Sequence, residues 1–297
     1  MEHGKLLERA KQFIYNNARL IDRKRYEYHF EGGSQKAVIE ALRGYQNPDG
    51  GFGNALEPDI RCPHSQPVPT EMALQMMEDV DAFDPLILEG IARYLRKVTL
   101  EDGGIPFVLK SVNHYPHAPW WTTESDRHPS INPTGTIIGL LYKQKVLPEI
   151  VQDESFLRNV RYIWDCLERE EPSGFHDGVQ WIAFLQHTPD RERANAYWQK
   201  FDKWLSSPAA IERDPYATGY VHKVLDWAPA CDSYARKFIS DEELHNHLQA
   251  LARQQQEDGG WLISFPAVSP AGEQEWRGYV TVERLKTLKS YGVLQGL

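Results

Sequence analysis

The chain has 297 residues, 41% of them hydrophobic and 25% charged, the balance of a soluble globular protein long enough to bury a sizeable core. A formal charge of −9 excludes nucleic acid as the main partner, because phosphate binding needs a basic footprint. No apolar run approaches the roughly 18–20 residues that span a bilayer, and the cysteines Cys62, Cys166 and Cys231 are scattered with no CxxC pair. Reduced thiols in a cytoplasmic protein are the expectation.

Helical periodicity runs from one end to the other. MEHGKLLERAKQF reads as a charged amphipathic helix rather than a signal peptide, with Leu6, Leu7, Ala10, Phe13 and Ile14 on one stripe. DRKRYEYH (22–29) reads as a solvated turn after it. The apolar stripes that follow pair as hairpins: 34–46 with 70–81, 84–97 with 133–145, 153–168 with 177–188, 190–206 with 214–227, and 241–256 with 276–291. Leu86, Ile87, Ile91, Tyr94 and Leu95 are the stripe of the third of these segments. No pair of alternating strands stands out, so the chain is predicted to be all-α and a single domain over 1–297.

Connections within a pair are often long (47–69, 98–132, 257–275), whereas those between pairs are mostly short. In a stack of helical hairpins the within-pair loops emerge on one face. Their Trp, His, Asp, Glu and Pro content marks ordered, functional loops rather than linkers.

Three of these loops begin alike, as QNPDGGF (46–52), EDGGIPF (101–107) and QEDGGWLISF (256–265). Asp49 and Asp102 are 53 residues apart, and Asp102 and Asp258 are 156 apart, three steps of 52. A period near 50 with two helices per unit is an αα-repeat. The first Gly can take the left-handed conformation that stops a helix, and the Asp can accept from the turn's own amides. The motif is therefore an architectural corner and says little about chemistry.

ALRGYQNPDGGFG and LQALARQQQEDGGWLISF resemble the QW-type repeats of the terpenoid cyclase and protein prenyltransferase superfamily. So do the second-helix starts VPTEMALQMM (68–77), NPTGTIIGLL (132–141) and YVTVERLKTL (279–288), each with a Thr near its head. The resemblance covers about residues 34 to 291, with a clear motif in three of five units. It implies an α/α toroid of about five helical hairpins plus an N-terminal helix, with a central cavity opening on one face. It also implies a largely apolar, isoprenoid-like substrate.

The family's chemistry carries over less well. DVDAFD (79–84) lacks the adjacent acidic pair of the cyclases' DxDD and reads as a solvated turn between hairpins. Asp59, Cys62 and His64 have zinc-binding residue types but not the prenyltransferases' spacing, and His114, His117 and His128 lack a matching Cys/Asp set. No metal is assigned and no cofactor is legible.

The candidates lie on the loop face. Glu57 and Asp59, beside Arg61 and His64, could divide into acid and base if burial separates their pKa values, or could instead pair with Arg61 or cap the next helix. In VNHYPHAPWWTTESDRHPSINP (112–133), Trp120 and Trp121 adjoin Glu124, Asp126 and His128. Aromatic faces beside carboxylates suit a carbocation or a sugar ring, and they also suit a plug at a toroid mouth. His176, Trp181, Tyr220, Trp276, Arg277 and Tyr279 are grouped with them as substrate-binding candidates at the starts of second helices, although each alone also reads as core. Three functions are expected in this order: a small-molecule enzyme of the terpenoid cyclase or prenyltransferase type, a carbohydrate-active lyase or hydrolase, and a non-catalytic binding protein.

Overall fold

The computed structural model describes residues 3–294; Met1 and Glu2, which open the predicted first helix, and residues 295–297 lie outside the described residues. The described chain is all-α. Its helices are α1 (His3–Asn17), α2 (Leu20–Phe30), α3 (Gln35–Arg43), α4 (Pro67–Asp79), α5 (Pro85–Val98), α6 (Ile131–Lys143), α7 (Glu154–Arg169), α8 (Phe175–His187), α9 (Arg191–Leu205), α10 (Val224–Trp227), α11 (Asp241–Arg253) and α12 (Pro270–Ser290). One small antiparallel pair, β1 (Ile105–Pro106) with β2 (Pro129–Ser130), sets Ile105 opposite Ser130 and Pro106 opposite Pro129.

The chain divides into two compact units, Gln35–Trp204 and the remainder before and after it. In the first unit α4 packs on α6 and α6 on α8. In the second, α1 and α2 pack on α12, which also meets α11.

Local sequence explains the starts of α5, α7, α11 and α12, each capped by an Asp or Ser side chain. Asp84 caps α5 by accepting from Ile87 N at 3.0 Å, and Pro85 follows at the first helical position. Asp84 also pairs with Arg43 at 2.7 Å, so the last acid of DVDAFD, which the sequence reads as part of a solvated turn between hairpins, ties α5 to α3. Within α5, Ile87, Leu88, Ile91 and Leu95 are buried, each worth about 1.5–3 kcal/mol if fully transferred from water. Leu86, placed on that stripe from the sequence, is 63% exposed, and Leu88 takes its place.

Two segments depart from expectation. The predicted turn at 22–29 is the body of α2, with Ile21, Asp22, Arg25 and Tyr26 buried. Asp22 accepts from Arg19 Nε at 2.8 Å, and Arg25 reaches Glu283 of α12. The charges that suggest a solvated turn are thus internal partners. The predicted helix 214–227 is helical only at its end, as α10. Pro215 and Gly219 (φ +88°) break the rest into an irregular segment.

The DGG corners repeat in bonding as well as in sequence. Gln46 Nε2 donates to Gly50 O (2.9 Å) and across to Ile87 O of α5 (3.1 Å). Gln255 Nε2 does the same to Gly259 O (2.9 Å) and to Leu6 O of α1 (2.9 Å). Asp49 accepts from Gly51 N and Asp258 from Gly260 N. The residue after each glycine pair, Phe52, Ile105 or Trp261, donates its amide to Thr70, Thr134 or Thr281 at 3.1, 3.0 and 3.2 Å. In the middle corner Thr99 holds the Gln position and accepts from Asn159 Nδ2 at 2.8 Å. The first two corners thereby fix the distance from the end of one helix to the head of the next, whereas the third reaches Thr281 in the middle of α12, which begins at Pro270 and not at the predicted 276.

Candidate functional site

Two of the long loops lie side by side in the unit Gln35–Trp204. Ile60 bridges His117, Arg61 N donates to Pro116 O at 3.0 Å, and Ala118 N donates to Asp59 O at 3.0 Å. Under this seam Ile60, Cys62, Val108 and Val112 form a small apolar core on which Val68, Tyr115 and Trp121 pack. Gln66, just before α4, pins both loops. It accepts from Leu109 N (2.7 Å) and donates to Ser111 Oγ (2.7 Å) and Cys62 Sγ (3.8 Å).

The predicted acids fall into two different settings. Glu57 and Asp59 are buried, at 3% and 0% exposure, whereas Glu124, Asp126 and His128 are exposed. Asp126 accepts from Lys110 N at 2.5 Å, a loop-closing role. Trp121 is half-buried with its ring 4.9 Å from that of Phe107, while Trp120 is 42% exposed. The adjacent tryptophans therefore do separate jobs: one is loop core, the other is a surface face. His64 is exposed with Nε2 3.1 Å from the Tyr115 hydroxyl, and His117 is spent on Tyr115 O and Thr122 Oγ1 inside its own loop. Among the described residues no three His, Cys, Asp or Glu side chains gather as a metal set.

The remaining candidates divide similarly. His176 is exposed in the first turn of α8. Trp181, one turn further, is 2% exposed and packs on Phe201 and Tyr197, so it belongs to the core and not to a binding surface. In the other unit Tyr220, 56% exposed, begins an edge-to-face row through Phe265 and Trp276 to Tyr279, with Arg25 5.1 Å over the last ring. Arg277 is absorbed into the third corner: it donates to Asp258 at 2.8 Å and lies 4.7 Å over Phe13.

Sequence reasoning missed the most unusual carboxylate. Glu71 is 7% exposed in a stretch of α4 that is otherwise apolar or small, among Pro69, Thr70, Met72, Ala73 and Leu74. Gln180 Nε2 of α8 donates to it at 2.7 Å and to Asn132 Oδ1 at 3.3 Å, while Gln180 Oε1 accepts from Thr136 N of α6 at 2.6 Å. The two helices come this close because position 135 has no side chain: a Cβ on Gly135 would lie 2.8 Å from Gln180 Cβ. Asn132 stands in extended backbone (φ −95°, ψ 115°) because Pro133 disfavours the helical region before it, which leaves Asn132 at the head of α6. Glu71, Asn132, Thr136 and Gln180 thus meet near the heads of α4, α6 and α8.

Burial pushes the Glu71 carboxyl up from its ordinary 4.5 to about 7, against the hydrogen bonds from Gln180 and Thr136 that hold it down. Both its charged and neutral forms are then populated near neutrality, the condition for general acid–base work. The sign for stability follows. The folded state keeps this proton to higher pH than the unfolded chain, so the contribution is full below about 4.5 and is lost as pH rises to about 7. The expected slope from this group is up to ~1.4 kcal/mol per pH unit. Urea melts across that range should show it in the natural chain and not in Glu71→Gln; identical slopes in the two would refute the raised pKa.

One signal of Glu71 was available in the sequence. It directly follows the Thr of its corner, where the other two corners carry Gly135 and Val282. The architecture does not require an acid there.

No family model matches the chain, and no curated protein matches it in sequence. A protein from Actinoplanes, known from its crystal structure, matches over 97% of this chain and 99% of its own, at a TM-score of 0.54 and 14% identity. At that identity the likeness shows the fold alone. No helix among the described residues is long and apolar enough to cross a membrane.

Proposed function

We propose that the chain is a small-molecule enzyme of the terpenoid cyclase or prenyltransferase-like kind, acting on a largely apolar, isoprenoid-like substrate near the heads of α4, α6 and α8. The observation that carries this reading is the corner itself. The Gln side chain that ties a DGG turn to a further helix, and the Thr that receives the next amide, recur at 46–70 and 255–281 with the same bonds. This is the detail in which the sequence resembles the QW-type repeat, and it supports an α/α-toroid ancestry. Function carried over from ancestry is analogy, so the site has to be tested directly.

A second reading, a carbohydrate-active lyase or hydrolase, has its own support. A carboxyl near 7 is too weak an acid to protonate an alkene, but it suits proton exchange with a sugar. The exposed Trp120 face, in the same unit, is also a surface of the kind that stacks on sugar rings.

A thermal-shift screen of the purified chain separates the two. Prenyl diphosphates and farnesol-like alcohols are run against oligosaccharides and uronates, each with and without Mg²⁺ or Zn²⁺. A ligand at about 100 times its Kd stabilises by roughly 2.7 kcal/mol, a shift of a few degrees for a chain of this size. Stabilisation by isoprenoids alone supports the first reading, and by saccharides alone the second. A compound that binds and is recovered unchanged makes the protein a binder rather than an enzyme.

A further inference from the structure

The orientation of one amide decides what the cluster near the heads of α4, α6 and α8 offers a ligand. Thr136 N can only donate, so the Gln180 atom facing it at 2.6 Å is the carbonyl oxygen. The Gln180 amino group therefore faces Glu71 and Asn132, and Asn132 must present its own oxygen to that group. This turns Asn132 Nδ2 away from Gln180, and among the described residues nothing accepts a hydrogen bond from it. Asn132 is half-buried, so this donor is within reach of a small molecule. Glu71 has two oxygens with about four acceptor positions, of which Gln180 and Thr136 take two. An acceptor and a donor are thus held close together, on different helices, by a shared partner whose own bonds are satisfied.

We propose that Glu71 and Asn132 form a hydroxyl-binding site, in which the Glu71 carboxylate accepts the ligand's O–H and Asn132 Nδ2 donates to the same oxygen. Gln180 and Thr136 are positioning residues: they fix the two groups and do not touch the ligand. The site takes an alcohol whether the hydroxyl belongs to an isoprenoid or to a saccharide, so it holds under either reading of function. Only the ionised carboxylate accepts fully, so binding tightens as pH rises through the Glu71 titration. The other titratable groups on the neighbouring elements are Glu57, Asp59, Arg61 and His64 in the loop before α4, Glu78 and Asp79 at its end, Tyr142 and Lys143 at the end of α6, and His176, Asp177 and His187 on α8. The Glu71→Gln comparison cancels their contributions.

The test is calorimetric titration of the full chain with three probes between about pH 5 and about pH 8: farnesol, farnesene (the same skeleton without the hydroxyl) and cellotriose. Farnesol or cellotriose is expected to bind, with farnesene at least about tenfold weaker than farnesol. The affinity should rise about tenfold per pH unit below about 7 and level off above it. Glu71→Gln should lose the pH dependence, and Asn132→Ala should bind about tenfold more weakly while keeping it. Should Glu71→Gln fail to fold, carbon-13 NMR of the natural chain with labelled glutamate carboxyls decides, since one carboxyl must titrate near 7 and move lower when the probe binds.

Equal binding of farnesene and farnesol would overturn the hydroxyl site and leave the isoprenoid reading standing. Cellotriose binding with farnesol silent would do the reverse. Silence from all three probes, or a pH profile unchanged in Glu71→Gln, would overturn the site.

Discussion

Gly50→Ala is expected to cost roughly 2–5 kcal/mol of stability, far more than an average surface change. Two terms add. Gly50 has φ +94°, where a side chain adds about 1–2 kcal/mol of strain. A Cβ there would also lie 2.0 Å from Gly90 O, a backbone atom of α5 that cannot rotate aside, so the turn or the helix must move. Overpacking of that kind typically costs a further 1–3 kcal/mol. The third corner predicts the same, because Gly259 has φ +94° and its Cβ would meet Arg9 O at 2.1 Å. Gly32→Ala separates the two terms: its φ is +72° but nothing lies within 4 Å of the added atom, so only the strain remains. Denaturant melts of the three variants check the ranking. Equal losses at positions 32 and 50 would mean that the close approach in the corner contributes nothing.

Arg25→Ala is expected to lose about 3–5 kcal/mol, the range for breaking a buried ion pair from one side. Arg25 is 2% exposed and interacts with Glu283 of α12, Asp22 of its own helix and the ring of Tyr279. Truncation leaves Asp22, fully buried, with Arg19 as its remaining cation, and removes the stem that fills the α2–α12 contact. Arg25→Met keeps most of that volume and loses only the charge. It should fall between the natural chain and Arg25→Ala in a urea melt. If Arg25→Ala melts within about 0.5 kcal/mol of the natural chain, the pair behaves as a surface bridge and does not hold α2 in place.

These two variants also mark how far the sequence could be read. The corner was legible because its chemistry is local: a left-handed Gly, an Asp bonding two residues on and a Thr in the next helix all leave traces within about 35 residues. Helix α2 was hidden because two of its charged residues, Asp22 and Arg25, are buried, and Arg25 pairs with Glu283, 258 positions away. No window of sequence shows that partner, and without it DRKRYEYH reads as solvated. Glu71 was obscured for a related reason. Its partners Gln180 and Thr136 come from two later hairpins, so its buried pairing shows only once the other two helices are placed. The loop candidates were chosen by composition, which cannot distinguish Trp121, packed on Phe107, from Trp120, open to solvent. Composition likewise could not show that Arg277 belongs to a corner.

The last corner rests on the first helix, with Gln255 bonded to Leu6 O and the Gly259 turn against Arg9. On the ribosome this reverses the usual order of events. Helices α1 and α2 emerge long before α11 and α12, so Phe13, Ile14 and Ile21 stay without their final covering while more than 200 residues are made. At about 5–20 residues per second that interval is on the order of 10–50 s. The segment Gln35–Trp204 is contiguous and can condense as it appears, whereas α1 and α2 belong to a unit whose other part follows that segment in the chain. Folding of this second unit is therefore completed only once α11 and α12 have been made.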